Sequence, residues 1–315
     1  MKTDPEISIL MPMLNVEPYL DEAVRSVLRQ KDVSLELIAI DDGCTDGSRE
    51  VLARINDDRV RVIDGPRAGI AQTVNAGLAA ARGQWIARCD GDDCFADGRL
   101  SLQLNWLKQN PDFIAISGGF DTMTARSKLI RHMECGNSPV EMTDHLRDGH
   151  ALTHLGTWLI RRTALEAVGG CRSFFRMAED IDLQLRLGAI GRVWFDPHCA
   201  YKYRLHEKSI THTSATALRR FYQQSVFRFH DQRLTTGTDD LERGCPPVVP
   251  DFENEHIDEA HHHTQRILIG AAWRHHESGK RGLAVRTALR ACLTHPFNME
   301  AWKNLGVMAI RGPQS

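Results

Sequence analysis

The sequence has no pairing of cysteines that would mark a zinc cluster or a disulfide scaffold. Its eight cysteines, at 44, 89, 94, 135, 171, 199, 245 and 292, form no CxxC and are scattered over 315 residues. Reduced thiols in a cytoplasmic setting are therefore expected. No run of roughly 18 or more apolar residues occurs, and the start MKTDPEISILMPML is too short and wrongly flanked for a signal peptide or a membrane span. A soluble protein is expected, at most peripheral at the inner membrane face. Charge of one sign is also lacking: 39 Lys and Arg stand against 41 Asp and Glu, a net charge of −2. That balance removes the usual footprint of a nucleic-acid binder, so no nucleic-acid partner is expected. What is present is an ordinary globular composition, 42% hydrophobic and 25% charged, long enough for one large domain plus an appendage.

Apolar runs and helical spacings alternate through the first hundred residues. Ile7 to Leu10 reads as a buried strand leading into a loop at Pro12, followed by a helix with Tyr19, Leu20, Ala23, Val24, Val27 and Leu28 at spacings of three and four. Leu35 to Ile40, Val60 to Ile63 and Trp85 to Arg88 read as further strands, with helices at Ser48 to Ile55 and Gly69 to Ala81 between them. This rhythm predicts an α/β fold, a Rossmann-like mostly parallel sheet flanked by helices. Farther on, strands are expected at Phe113 to Ser117, His154 to Arg161 and Val193 to Phe195, and a helix from Asp180 to Leu187. Residues 1–232 are taken as the main domain, 233–262 as a linker and 263–315 as a C-terminal helical extension.

In open parallel sheets ligands sit at the carboxyl ends of the strands, and here two strands end in acid. Asp90-Gly91-Asp92-Asp93 follows the apolar WIA. Carboxylates two positions apart can converge on one hard cation, Mg²⁺ or Mn²⁺, which takes its other ligands from water and phosphate. A bare DxD is usually an exposed acidic turn; its place after a buried strand favours the metal reading. Asp41 and Asp42 end the second strand, and Asp42 is the better candidate to bind a nucleotide, whereas Asp46 and Ser48 read as helix caps. The third cluster, Glu179-Asp180-Ile181-Asp182, opens a helix, where the dipole alone favours acid; Asp182 reads as a surface cap or pair.

Five ordered stretches carry a resemblance: ISILMPMLNVEPYLDEAVRSVLRQ, LELIAIDDGCTDGSREVL, GIAQTVNAGLAAARGQWIARCDGDD, LIRRTALEAVGG, and AEDIDLQLRLGAIG with YRLHEKSIT. Over residues 5–213 the chain resembles an inverting family 2 glycosyltransferase of the GT-A fold. The resemblance implies transfer of a sugar from a nucleotide-diphosphate donor, commonly a UDP-sugar, to the hydroxyl of a glycan, lipid-linked or other acceptor, with Mn²⁺ or Mg²⁺. It implies that Pro12, Asn15, Glu17, Asp42, Asp90 and Asp92 bind the nucleotide-sugar, with Asp92 the metal ligand and His206 a second. Asp180 would be the catalytic base and Glu179 its support or an acceptor contact. Two departures appear: Asp97 stands where the family usually has Pro, and Cys44 replaces the commoner Ser.

A sugar-phosphate nucleotidyltransferase would need a Gly-rich basic loop after the first strand, which MPMLNVEPYL does not provide. A non-catalytic nucleotide-sugar-binding or scaffold protein would not need Asp42, Asp90, Asp92 and Asp180 together. His261-His262-His263 and His275-His276 read as solvated surface. The aromatic and basic residues from Arg219 to His230 read as packing, with membrane contact as the lesser option. The helical tail fits dimerisation, partner binding or core capping equally.

Overall fold

The computed structural model describes residues 4–133, 136, 138–151, 153–206, 216–251, 260–277 and 279–310. The chain divides into two compact units. The first comprises residues 1–121, 132–204 and 220–249, and the second residues 122–131, 205–219 and 250–315.

The first unit is built on a sheet whose parallel half follows the sequence rhythm. β1 (Ile7–Met13), α1 (Glu17–Leu28), β2 (Leu35–Asp41), α2 (Ser48–Ala53), β3 (Val60–Asp64), α3 (Ile70–Ala80) and β4 (Trp85–Arg88) form successive βα units. All seven residues of β1 and all seven of β2 are buried, as parallel strands covered on both faces must be. α1 turns Leu20, Ala23, Val24 and Val27 onto β1 and β2 with no exposure. Each such Leu or Val contributes roughly 1.5–3 kcal/mol by leaving water.

β1 runs three residues past the expected end at Leu10, straight through Pro12. Its ladder with β4 stops at Leu10 opposite Arg88, whereas the ladder with β2 continues to Met13 opposite Asp41. The Pro12 carbonyl points to the β4 side, where it accepts the Gly91 N–H (3.2 Å), so the missing Pro12 N–H also lies on that side. The proline therefore costs no bond to β2. It sits where β1 and β4 part.

The remaining elements are β5 (Cys94–Phe95), α4 (Arg99–Gln109), β6 (Phe113–Thr124), β7 (Leu129–Met133), β8 (Val140–Glu141), α5 (Thr143–Arg147), β9 (Leu159–Arg161), α6 (Arg162–Ala167), α7 (Glu179–Ile190), β10 (Arg192–Leu205) and α8 (Thr216–Thr236). The strand order is β3-β2-β1-β4-β9-β6-β10-β5, with β7 on β6 and β8 on β10. β9 is antiparallel to β4 and β6, and β5 and β8 are antiparallel to β10. The sheet is thus mixed: the parallel expectation holds for β3-β2-β1-β4, and β9, β5 and β8 pair antiparallel. The strand expected over His154 to Arg161 is broken by a 3-10 turn, Leu155–Thr157, leaving β9 short. Arg99 and Gln103 of α4 draw the carbonyls of Gly156, Thr157 and Trp158 into side-chain bonds, which takes them out of any ladder.

The stretch 233–262 is divided between the units. α8 continues to Thr236, and the Asp239 carboxylate, fully buried, pairs with Arg172 and Arg233. In the second unit α9 (Ala260–Glu277), α10 (Arg281–Thr294) and α11 (Met299–Ile310) pack around Ala272, Ala284, Ala288 and Met308. His276 is buried rather than at the surface, with its ring edge-on to Trp273 (5.7 Å). The side chains of His261, His262 and His263 lie outside the described residues. In α8, Tyr222, Val226, Phe229 and His230 are buried, which agrees with packing as the use of that aromatic segment.

Candidate active site

The last two carbonyls of β1 hold both acidic loops. Met13 accepts the Asp42 N–H (3.0 Å) and Pro12 accepts the Gly91 N–H. The two strand ends read as acidic in the sequence are thereby brought side by side. Gly91 separates the two carboxylates for a steric reason: a Cβ there would lie 2.9 Å from Val16 and 3.2 Å from Met13.

Around the β2 end, much of the polar chemistry is spent on loop structure. Asp41 accepts the N–H groups of Gly43 (2.9 Å) and Cys44 (2.7 Å) and pairs with Arg49. Burial alone would raise its carboxyl, but the Cys44 N–H, Arg49 and Gly43 outweigh it and hold the pKa at about 2. Asp42 is partly exposed and gives one oxygen to the Arg67 N–H (2.7 Å). Asn15, at φ 55°, accepts the Thr45 N–H (2.8 Å), and Glu17 accepts the Gly47 N–H (3.0 Å) while its own N–H donates to Asp46 (3.0 Å). Asn15 and Glu17 thus clasp the β2–α2 loop to the β1–α1 loop. Asp46 also accepts the Ser48 N–H (3.1 Å), but the cap of α2 is Gly47, and Ser48, also read as a cap, is the first residue of the helix.

At the β4 end the three aspartates differ. Asp93 is buried, accepting the Arg204 N–H (2.6 Å) and the Tyr201 hydroxyl (2.8 Å). Burial, with the charges of Asp92 and Asp90 beside it, pushes its carboxyl well above the usual range. Its role is to anchor the loop. Asp92 is partly exposed, and Arg204 steadies it through its carbonyl (2.6 Å). Asp90 is gripped by Arg88 through both carboxylate oxygens (2.6 and 3.0 Å), and its N–H donates to Tyr201 (3.1 Å).

Arg88 then reaches α7, where its third nitrogen donates to Glu179 (3.0 Å). Glu179 is buried and Asp180 partly exposed. Burial lifts both carboxyls above their ordinary values. The Asp180 charge adds to this for Glu179 and that of Asp90 for Asp180, while Arg88 opposes the rise at both. The turn into α7 is made by Ala178 at φ 64°, a left-handed conformation costly for a residue with a Cβ. Asp182 is not at the surface: it is fully buried and pairs with Arg172 and Arg186, fixing α7 from below.

Three site residues went unread in the sequence. Arg88 looked like the polar end of a strand, and only its spacing of two from Asp90 hinted at the grip. Tyr201 sits on β10, 111 residues from Asp90, and no local pattern marks it. His154 stacks on Tyr201 (5.1 Å between ring centres, 23° between planes), and its Nδ1 accepts the Gly156 N–H (3.0 Å). Burial lowers its pKa to about 4, so the ring is neutral near pH 7. His206, which follows β10, falls in the second unit and is buried there.

Among the described residues no three His, Cys, Asp or Glu side chains are grouped to hold a metal ion. A few-carboxylate Mg²⁺ or Mn²⁺ site completed by water and phosphate needs no such group. The hard oxygens of Asp92 fit that chemistry.

A sheet with acid at the carboxyl ends of β2 and β4, joined by a helix-borne carboxylate pair, defines an α/β domain with one acidic site at its strand ends. The sequence profile of Glycosyl transferase family 2 matches residues 8–169, and the chain belongs to that family. The uncharacterized glycosyltransferase EpsJ of Bacillus subtilis is 31% identical over 217 residues, 66% of this chain and 63% of EpsJ. An uncharacterized Haemophilus influenzae glycosyltransferase is 43% identical over 109 residues, 34% of this chain and 44% of its own length. The chain therefore spans less than two thirds of either relative. Among solved structures, Staphylococcus aureus TarS 1–349 in complex with UDP-GlcNAc aligns with a TM-score of 0.61 at 14% identity, covering 96% of this chain and 90% of that one. That likeness is one of fold: a GT-A-like α/β domain followed by C-terminal helices.

Proposed function

We propose that the protein is an inverting glycosyltransferase that moves a sugar from a nucleotide-diphosphate donor, a UDP-sugar, to the hydroxyl of a glycan or lipid-linked acceptor at the cytoplasmic face of the membrane. One observation carries the reading: Arg88 ties Asp90, in the loop after β4, to Glu179 on α7, so the acidic loop and the helix-borne carboxylates share one site. UDP and UDP-GlcNAc complexes of the TarS neighbour support the donor class.

In this reading Asp42, with Pro12 and the loop clasped by Asn15 and Glu17, receives the nucleotide. Asp90 faces the donor sugar. Asp92 would hold Mn²⁺ or Mg²⁺. When bound, the ion offsets the charge that builds on the departing diphosphate. Asp180 takes the proton of the acceptor hydroxyl as that oxygen attacks the anomeric carbon from the face opposite the leaving group. Such general-base help contributes typically 10²–10⁴-fold. A raised carboxyl pKa suits the task, because the base must hold the proton after attack. Glu179, fixed by Arg88, positions Asp180.

The test is nucleotide release from a panel of sugar nucleotides with Mn²⁺, for the wild type and Asp180→Asn. Turnover with one donor, lost in the variant while donor binding persists, is the expected result. Donor binding without metal-dependent turnover under every condition would show a binding protein instead.

A further inference from the structure

The second unit presents a surface that the active site does not use. On α10 the residues at spacings of three and four divide cleanly. Ala284, Thr287, Ala288, Ala291 and Cys292 are buried, while Leu283, Arg286, Leu289, Arg290 and Leu293 are exposed along the opposite face. Leu283 is 44%, Leu289 42% and Leu293 65% exposed. The turn after α10 adds Phe297 at 88%, and the first turn of α11 adds Met299 at 67%. Trp302, also exposed, donates its ring N–H to the Pro296 carbonyl (2.7 Å) beside Phe297, and Lys303 follows, exposed as well. An outer helix face that only met water would carry few of these side chains.

Charge is segregated onto the same segment. Between residues 279 and 310 the basic residues are Lys280, Arg281, Arg286, Arg290 and Lys303, against the single acid Glu300, in a chain whose net charge is −2. All five are exposed. Arginines interleaved with leucines, beside a protruding Phe and Met, match one kind of partner: an interface that is anionic at its surface and apolar just beneath. We propose that α10 and the start of α11 dock on an anionic lipid bilayer surface. The Arg and Lys side chains meet headgroup phosphates, and Leu293, Phe297 and Met299 enter the acyl boundary.

Two other occupants fit less well. A second copy in a two-fold contact would set this basic face against itself, and like charges directly opposed repel. A nucleic acid would use the arginines but leave Phe297 and Met299 unburied. Among the described residues no helix is long and apolar enough to cross a membrane, so the contact is interfacial. The proposal stands apart from sugar transfer, and its test uses no turnover.

The full chain is floated with vesicles of phosphatidylcholine alone or with about one third phosphatidylglycerol. Binding only to the anionic vesicles is expected, weakening as salt rises. Arg286→Gln with Arg290→Gln should lower the partition coefficient by ten- to thirtyfold, since each basic residue near such a surface is worth about 1 kcal/mol. Phe297→Ser with Met299→Ser should lower it several-fold and remove the part that resists salt. Both pairs are exposed, and unchanged circular dichroism will separate lost binding from lost folding. Failure to float with anionic vesicles, or flotation that neither pair alters, overturns the proposal. So does a dimer in sedimentation that Phe297→Ser dissolves.

Discussion

Arg88 donates a hydrogen bond to Glu179 across 91 positions of sequence, at 3.0 Å and largely out of water. The same guanidinium already holds Asp90, so one cation on the last residue of β4 fixes the geometry of two acidic clusters.

Removal of that cation should be costly twice over. Arg88→Met leaves Asp90 and Glu179 without their shared partner, and breaking a buried pair typically costs about 3–5 kcal/mol. Urea denaturation of Arg88→Met and Arg88→Lys should show a large loss for the first and a smaller one for the second. Equal stability of Arg88→Met and wild type would mean the bridge is absent in solution.

As the proposed base, Asp180 must be ionised to accept a proton, and its folded pKa lies above the ordinary 3.8. The acid limb of kcat/KM should therefore fall with a midpoint above that value, activity being full only at higher pH. Since Arg88 holds the Asp180 pKa down, Arg88→Lys, with a looser grip, should move the limb to higher pH. A pH–rate series on both proteins decides it; a shift to lower pH contradicts the electrostatics.

Asp41 gives a stability signal with the opposite sign. Its folded pKa of about 2 lies below that of an unfolded Asp, so its contribution is complete above about pH 4 and lost as pH falls towards 2. The shift corresponds to about 2 kcal/mol. Asp41→Asn should be less stable by about that amount at pH 7, and the gap should close between pH 4 and pH 2. A gap that stays constant would assign the loss to packing.

Ala178 is the clearest case for stabilisation. Its left-handed backbone costs about 1–2 kcal/mol that glycine would not incur, and glycine gives back up to about 1 kcal/mol in chain entropy. Ala178→Gly should raise the melting temperature by a few degrees. A drop would mean that the Ala178 methyl contributes more by packing than it costs in backbone strain.

Legibility in the sequence followed locality. β2, β4, α1 and α3 were readable because each is a short segment whose burial pattern or helical spacing is complete in itself. Asp42, Asp90 and Asp180 could be singled out because each sits at an element end. The antiparallel half of the sheet was not readable, since β9 and β10 are set by partners far away and by Arg99 and Gln103 drawing off backbone carbonyls. Arg88, Tyr201 and His154 escaped for the same reason: their meaning lies in contacts 91 to 111 residues distant or in ring stacking. Asp182 resembled a surface acid, and Asp93 one more member of the acidic cluster, until burial showed each locked to partners from other elements.

Pro12 acts as a zipper stop. A donor at that position would face β4 and could extend the ladder by one more rung, drawing the Asp90 loop in against β1. With an imino nitrogen there the fork between the two strands is fixed by covalent chemistry rather than by packing. The parting of the two strands, and with it the separation of the Asp42 and Asp90 loops, is therefore set in the chain itself before any ligand arrives.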